Sequence, residues 1–83
     1  MKITIRYFAS IREAVGQATE ALDTSAATLE QLRDALIARP GPGGEALARG
    51  RAVRMALNQV MSDESAALVE GCEVAFFPPV TGG

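Results

Sequence analysis

The 83-residue sequence predicts an α+β fold in which a mixed β-sheet carries one main helix across one of its faces. Three observations lead to this prediction. Two alternating, strand-like segments lie near the N-terminus, one amphipathic helical segment follows them, and at least two more alternating segments fill the second half. The length suits a single small domain with one core.

The first predicted strand covers residues 2–8, where apolar and polar positions alternate as in a half-buried strand. Its two faces carry Ile3, Ile5 and Tyr7 on one side and Thr4, Arg6 and Phe8 on the other. Ser10 and Glu13 match a capping box, and Gly16 stands where a glycine ends a helix, so a short helix is expected between them. A second strand is predicted over residues 18–22.

The main helix begins at a second capping box, formed by Thr28 and Gln31, and its apolar stripe consists of Leu29, Leu32 and Leu36. Pro40 disfavours helical geometry at the residue before it, so the helix must end there. The run RPGPGG, residues 39–44, lacks both glycine-rich phosphate-binding patterns and therefore predicts a plain flexible loop, followed by a short turn over residues 45–49.

Further strands are predicted over residues 53–57 and 72–77, with a turn at Asn58-Gln59, a continuation through Val60 and Met61, and a turn at Glu70-Gly71. Two strands, a helix and then further strands form the element order of the ubiquitin-like β-grasp. We therefore expect a β-grasp domain over residues 1–77 and an extended C-terminal tail over residues 78–83.

Composition excludes several classes of function. The net charge of −2 and pI of about 5.0, without a long basic run, argue against binding to nucleic acid or membrane surfaces. No apolar run approaches a membrane span, and the N-terminus does not resemble a signal peptide, so a cytoplasmic location is expected.

The chain has no histidine and one cysteine, Cys72, which rules out an internal disulfide, a histidine-dependent catalytic triad and a zinc site of the Cys/His type. No metal site is expected. The alternation of Cys72 with Val74 and Phe76 predicts a buried structural thiol. We expect no complete active site within this chain.

Strand alternation also predicts two distinct sheet faces. The predicted core face consists of Ile3, Ile5, Tyr7, Val53, Met55, Leu57, Val74 and Phe76. Phe8 and Phe77 then lie on the face away from the main helix, near Arg6 and Arg54, and an apolar patch with a polar rim is typical of a binding surface. The alternative is that Phe8 packs beneath the first helix and Phe77 beneath a loop.

The C-terminal tail is predicted to be a separate functional element. Pro78 and Pro79 cannot extend a central strand, and six extended residues reach about 20 Å. Gly82 and Gly83 have no Cβ to obstruct a narrow channel in a partner. The terminal carboxylate is ionised at neutral pH and is a poor electrophile until a reaction such as adenylation gives it a leaving group.

Three sequence segments carry a resemblance to a known family: YFASIREAVG at residues 7–16, LNQ at residues 57–59, and EVAFFPPVTGG at residues 73–83. Along its whole length the chain resembles the small subunit of molybdopterin synthase, the MoaD family of ubiquitin-like sulfur carriers. One departure is Gly71-Cys72-Glu73, where the family usually has Gly-Asp-Glu, and this leaves the stability of that turn in question.

The resemblance implies a role in molybdenum cofactor biosynthesis as a non-autonomous small subunit. It implies that an E1-like, MoeB-like adenylating enzyme uses ATP to activate Gly83, which then becomes a thiocarboxylate. The tail would enter a large, MoaE-like synthase subunit within a heterotetramer and give sulfur to cyclic pyranopterin monophosphate, forming the dithiolene of molybdopterin. No cofactor would be bound directly by this chain.

The resemblance also assigns residue roles. Gly83 would carry the sulfur, and Gly82, which has no side chain, would let the terminus enter a narrow channel. The partner-binding residues would be Phe8, Phe77, Pro78, Pro79, Val80 and Thr81.

Two related functions share the fold and the Gly-Gly end. A thiamine-pathway sulfur carrier is typically shorter and lacks the FFPPVTGG run. A ubiquitin-like protein modifier remains open, because an activated Gly83 would acylate an amine as readily as it accepts sulfur. A third alternative is an adaptor with an inert tail, which would tolerate a C-terminal extension.

Overall fold

The computed structural model describes residues 1–79 of the chain. Within this range it contains five strands and three helices. In chain order they are β1 (Lys2–Tyr7), α1 (Ala9–Val15), β2 (Thr19–Asp23), α2 (Leu29–Ile37), α3 (Pro42–Ala46), β3 (Arg54–Leu57), β4 (Val60–Ser62) and β5 (Glu73–Phe77). The predicted strands are confirmed to within about one residue at their ends.

The strands form one mixed sheet in the order β2-β1-β5-β3-β4. The central pair, β1 and β5, is parallel, and the other three pairs are antiparallel. The apolar stripe of α2 belongs to the same hydrophobic core as the inner side chains of this sheet. The predicted α+β, β-grasp fold, with one main helix across one face, is confirmed.

The core lies between the sheet and the helices. Its fully buried members from the sheet and α2 include Ile5, Tyr7, Leu29, Leu32, Val74 and Phe76. The Tyr7 and Phe76 rings stack with their centroids 6.3 Å apart. Val53 and Leu57, also predicted for the core, are only partly buried and pack against its edge. Cys72 is 2% exposed, which agrees with the predicted structural thiol.

The predicted capping box at Ser10 is wrong. The N-cap of α1 is Phe8, without a side-chain capping bond, and Ser10 lies inside the first turn. The reason is that the chain leaves the sheet only at Phe8, whose N–H donates to the carbonyl of Phe76 at 3.2 Å. The predicted end is confirmed, because Gly16 adopts a left-handed φ of 89° and its N–H donates to the Arg12 carbonyl.

The second capping box is confirmed. The Thr28 hydroxyl accepts a hydrogen bond from the Gln31 N–H at 3.3 Å, and the Gln31 side-chain oxygen accepts one from the Ala27 N–H at 2.8 Å. In the usual capping box this side chain accepts from the N–H of the N-cap residue, here Thr28. In this chain it accepts instead from the residue before the N-cap, Ala27. Helix α2 ends at Ile37, before Pro40, as predicted.

The prediction of a plain flexible loop over RPGPGG is wrong, since Pro42–Ala46 forms the short helix α3. Proline at the first position of a helix loses no hydrogen bond and has a suitable φ. Gly44 permits close packing on the end of α2, because a Cβ there would lie 2.6 Å from the Ile37 carbonyl oxygen. The first two residues of the turn predicted over residues 45–49 therefore belong to helix α3, which begins at Pro42.

Candidate functional site

The candidate site is the sheet face opposite α2, which we call the outer face. Strand register places Arg54 directly opposite Phe77 and Ala56 opposite Ala75, and it pairs Arg6 with Ala75 on the other side. Residues that pair across neighbouring strands present their side chains on the same face. The outer face therefore has a floor of small alanines flanked by aromatic and arginine side chains.

Phe8 and Phe77 meet on this face as predicted. Their ring centroids are 6.3 Å apart and their planes are inclined at 88°, an edge-to-face arrangement. The Arg6 guanidinium lies 5.6 Å from the centroid of the Phe8 ring. Phe8 is 40% exposed and Phe77 is half-buried, so Phe8 is not covered by α1. Their role in partner binding stays a prediction.

An open groove of about 900 Å³ runs across the outer face beside the two rings. Its apolar lining includes Phe8, Phe77 and Met61, together with Pro78 and Pro79. Met61 is 55% exposed, and its neighbour Val60 is 65% exposed. An uncovered apolar surface of this kind beside the start of the tail is well suited to a protein partner.

Backbone strain lies next to Phe8. Ala9 has a φ of +53°, in the left-handed region that costs an alanine about 1–2 kcal/mol. This conformation connects the extended Phe8 to the first turn of α1. Strained backbone at a functional site persists only when the surrounding structure holds it in place.

Two turns hold the start of β5, the strand that leads into the tail. Asn58 and Gln59 have φ values of 49° and 68°, the geometry of a tight hairpin turn, and the predicted turn is confirmed. The Asn58 side-chain oxygen accepts from the Glu73 N–H at 2.9 Å, and the Asn58 N–H donates to the Glu73 carbonyl at 2.8 Å. The turn between β3 and β4 is thus held against β5 by two hydrogen bonds.

The turn in which Cys72 replaces the usual aspartate is closed by other groups. Gly71 adopts a φ of 79°, and its N–H donates to the Lys2 carbonyl at 2.7 Å. The Glu70 carboxylate accepts from the Lys2 N–H at 3.0 Å, and the Cys72 N–H donates to the Val69 carbonyl at 3.1 Å. This turn therefore has a set of hydrogen bonds that does not depend on an aspartate.

The tail begins directly at the outer face. Strand β5 ends at Phe77, and Pro78 and Pro79 follow it outside any strand, both half-buried. Val80, Thr81, Gly82 and Gly83 lie outside the described residues. Their predicted roles, and the extended form of the tail, therefore stay predictions.

Sequence reasoning missed a polar network behind the site. The Tyr7 hydroxyl donates to Glu20 at 2.8 Å, and Arg39 forms two hydrogen bonds to the same carboxylate, at 3.0 and 2.6 Å. The hydrogen bonds from Arg39 lower the pKa of Glu20, despite an opposing effect of burial. Burial raises the pKa of Tyr7, and its bond to Glu20 raises it further.

Sequence reasoning also missed Arg33, a buried arginine of α2. Its guanidinium donates to the carbonyls of Leu47 and Ala48 at 2.7 and 2.9 Å and to Glu64 at 3.0 Å. A charge four residues after Leu29, within the apolar stripe, could have indicated this. Arg33 holds the segment between α3 and β3 against the main helix.

Residues 1–79 contain no group of three or more His, Cys, Asp or Glu side chains placed to hold a metal ion. No helix in the same range is long and apolar enough to cross a membrane.

The sequence of the chain matches a protein family and several known proteins. Residues 5–83 match the model of the ThiS family. The molybdopterin synthase sulfur carrier subunit of Haemophilus influenzae is 36% identical over 81 residues, covering 98% of this chain and 99% of that protein. The subunit of the same name from Escherichia coli is 41% identical over 83 residues, with the same coverage of each chain.

Solved structures show the same fold. The small archaeal modifier protein 1 of Haloferax volcanii has a TM-score of 0.77 at 26% identity, with all of both chains covered. A chain of the complex between subunits 1 and 2 of the molybdopterin-converting factor from Helicobacter pylori has a TM-score of 0.69 at 26% identity, also with full coverage. By its sequence match and its fold, the chain belongs to the ThiS family.

Proposed function

We propose that the chain is the sulfur-carrier small subunit of molybdopterin synthase. The observation that carries this proposal is the near-full-length identity, at 36% and 41%, to two proteins of that name. The outer face supports it, because an apolar groove bordered by Phe8 and Phe77 lies where the tail begins. A carrier needs such a surface for docking and a free end for chemistry.

The proposed chemistry begins at the terminal carboxylate of Gly83. An E1-like adenylating partner joins this carboxylate to the α-phosphate of ATP and releases pyrophosphate. The resulting acyl-adenylate has a good leaving group, so a sulfur donor displaces AMP and leaves a thiocarboxylate. Gly82 and Gly83 have no side chains that would obstruct the approach of the activating groups.

The thiocarboxylate then acts within the large subunit. From Pro78, six extended residues reach about 20 Å, enough for the terminus to enter an active site while the outer face stays docked. The sulfur atom is transferred to cyclic pyranopterin monophosphate, and two such transfers give the dithiolene of molybdopterin. We propose that two small and two large subunits form the working heterotetramer.

The catalytic groups belong to the partners in this mechanism. The chain has no histidine, and its single cysteine, Cys72, is 2% exposed and faces the core. A buried thiol is not accessible to a sulfur donor or to a partner's active site, so it is unsuited to carrying sulfur. The carrier function therefore depends on Gly83.

Protein modification is the second candidate function. It is favoured by the likeness to small archaeal modifier protein 1, with a TM-score of 0.77. An acyl-adenylate at Gly83 would react with a lysine amine by the same chemistry that accepts sulfur. The two functions differ in where the activated terminus goes, which a measurement of mass can resolve.

Intact-mass analysis of the chain with an unmodified C-terminus tests the proposal. After incubation with the activating enzyme, ATP and a sulfur donor, the chain should gain the mass difference between one sulfur and one oxygen atom, and fragmentation should locate it at Gly83. Addition of the large subunit and the pyranopterin precursor should return the original mass as product forms. Sulfur found on Cys72, or a terminus joined only to protein amines, would contradict the proposal.

A further inference from the structure

Gln59 is the second residue of the two-residue turn between β3 and β4, on either side of which Leu57 pairs with Val60. Its φ of 68° lies in the left-handed region, where the Cβ of a non-glycine residue crowds the backbone. Turns with this geometry favour asparagine followed by glycine. Glycine at position 59 would therefore relieve the strain, yet the chain has a long polar side chain there.

The conformation of Asn58, the first residue of the turn, has a local explanation. Asparagine tolerates left-handed backbone better than most residues, and the Asn58 side chain accepts a hydrogen bond from the Glu73 N–H at 2.9 Å. The Gln59 side chain, by contrast, forms no hydrogen bond with any group of residues 1–79. The described fold therefore gives no reason for a glutamine at this position.

The side chain of Gln59 lies at the outer face. It is exposed, and it lines the same groove as Met61 and Phe77. Ala9, which also has a left-handed φ, lines this groove as well. Two of the three non-glycine residues with positive φ in residues 1–79 thus border one groove, and the third, Asn58, adjoins Gln59. Backbone strain of this kind clusters at functional sites.

Gln59 carries the polar group of this groove that has no partner within residues 1–79. The lining contains two other polar side chains, Arg6 and Glu73, whose charged groups lie 4.0 Å from each other. The Arg6 guanidinium also lies 5.6 Å from the centroid of the Phe8 ring. The other side chains of the lining are apolar. In a mostly apolar site, a few polar groups fix the orientation of the bound molecule and provide specificity.

We propose that the Gln59 amide is a specificity-determining contact of the outer face, which exchanges hydrogen bonds with the backbone N–H and C=O of one residue of the large subunit. This inference rests on the proposed function, because that function makes the large subunit the partner at this face. A primary amide has a donor and an acceptor side by side, and the N–H and C=O of an extended residue point to the same side. A partner without such a pair would bury the Gln59 amide unsatisfied, and this cost would disfavour it.

Binding to the large subunit and thermal unfolding, measured on the same variants, test this role. Gln59→Gly removes both the strain and the amide, so its unfolding midpoint should rise by about 2–6 °C while its Kd rises about tenfold. Gln59→Ala keeps the strain and loses the amide, so its midpoint should stay near that of wild type while its Kd rises by a similar factor. The matched control is Gln17→Ala, because Gln17 is also exposed but lies outside the groove, and it should change Kd less than about twofold.

Gln59→Glu tests the chemistry of the partner group, since glutamate has nearly the same shape but cannot donate a hydrogen bond when ionised. Opposite a backbone N–H and C=O it should bind at least as weakly as Gln59→Ala. Tighter binding than wild type would indicate a lysine or arginine on the partner and would overturn the backbone contact. The loss in Gln59→Ala should appear mainly as faster dissociation and should not depend on salt, because the side chain is uncharged.

The possible failures are distinguishable. If the wild-type chain does not bind the large subunit, the proposed function fails and the role of Gln59 fails with it. If wild type binds and Gln59→Gly binds equally well, the proposed function stands and the role of Gln59 is wrong. A fall in both the unfolding midpoint and the affinity of Gln59→Gly would show that the glutamine serves the stability of the turn, which would also overturn the proposal.

Discussion

Phe8 and Phe77 meet edge to face, with their ring centroids 6.3 Å apart, although they lie at opposite ends of the chain. The parallel pairing of β1 and β5 brings them together, because both residues stand where these strands end. Each ring restricts the other, so the free chain already presents them in one arrangement. A preorganised aromatic pair loses little conformational entropy when a partner covers it.

Replacing Phe77 by alanine should weaken binding to the large subunit by about 2 kcal/mol or more, roughly a 30-fold rise in Kd, while folding stays nearly intact. The reason is that Phe77 is a central aromatic of the outer face and is only half-buried in the free chain. Titration of the complex and thermal unfolding measure the two effects separately.

Val69→Ala is the matched control for Phe77→Ala, because Val69 is apolar and 54% exposed beside the turn at the far end of the sheet. It should leave binding unchanged. A large loss of stability with normal binding in Phe77→Ala would mean that Phe77 serves the core and not the interface.

Changes at the C-terminus should abolish sulfur transfer without affecting docking. One residue added after Gly83 converts the carboxylate into an amide that cannot be adenylated, and deletion of Gly83 withdraws the carboxylate by about 3.5 Å. Both variants retain Phe77 and should bind the large subunit with wild-type affinity. Intact mass after activation and a product assay measure the effect, and full product formation by the extended variant would refute the carrier mechanism.

Ala9→Gly should stabilise the fold by about 0.5–1 kcal/mol, because glycine adopts the φ of +53° without the strain that alanine experiences. The same substitution at Ala14, inside the regular part of α1, should destabilise by about 1 kcal/mol. Chemical denaturation of the two variants makes the comparison. Equal destabilisation by both would show that Ala9 is not left-handed in solution.

Stability should fall in acid as Glu20 becomes protonated. Its pKa is lower in the folded chain than in the unfolded chain, so its contribution is present above the unfolded pKa, near 4.3, and is lost as the pH falls through the folded pKa. Glu20→Gln should therefore be less stable than wild type at neutral pH and should approach it below about pH 4. As a matched control, Glu13→Gln changes an exposed glutamate of α1 and should alter the unfolding free energy at neutral pH by less than about 0.5 kcal/mol.

Gly44 and Gly50 should respond differently to alanine. A Cβ at Gly44 would lie 2.6 Å and 2.9 Å from the carbonyl oxygens of Ile37 and Arg39, whereas a Cβ at Gly50 would meet nothing within 4 Å. Gly44→Ala should cost about 1–3 kcal/mol by displacing α3, and Gly50→Ala should change stability by less than about 1 kcal/mol. Denaturant unfolding tests this, and equal effects would contradict the packing of α3 on α2.

The sequence predicted the two sheet faces well because strand side chains alternate strictly, so placing Ile5 and Phe76 in the core places Arg6 and Phe77 outside. The start of α1 was predicted wrongly because a tertiary hydrogen bond, from Phe8 to Phe76, decides where the chain leaves the sheet. The position of Arg33 within the apolar stripe indicates a buried charge, but its partners could not be predicted, because those at Leu47 and Ala48 are backbone carbonyls without a sequence signature.

Strand β5 comes last among the elements of residues 1–79, yet it lies at the centre of the sheet. In the strand order of the described residues it lies between the β2–β1 pair and the β3–β4 pair, and it supplies the fully buried Val74 and Phe76. Until β5 has been synthesised, the β2–β1 pair and the β3–β4 pair therefore have no strand to join them into one sheet. A product that stops before Glu73 would lack this strand and two fully buried core side chains, so it would remain unfolded and open to proteases.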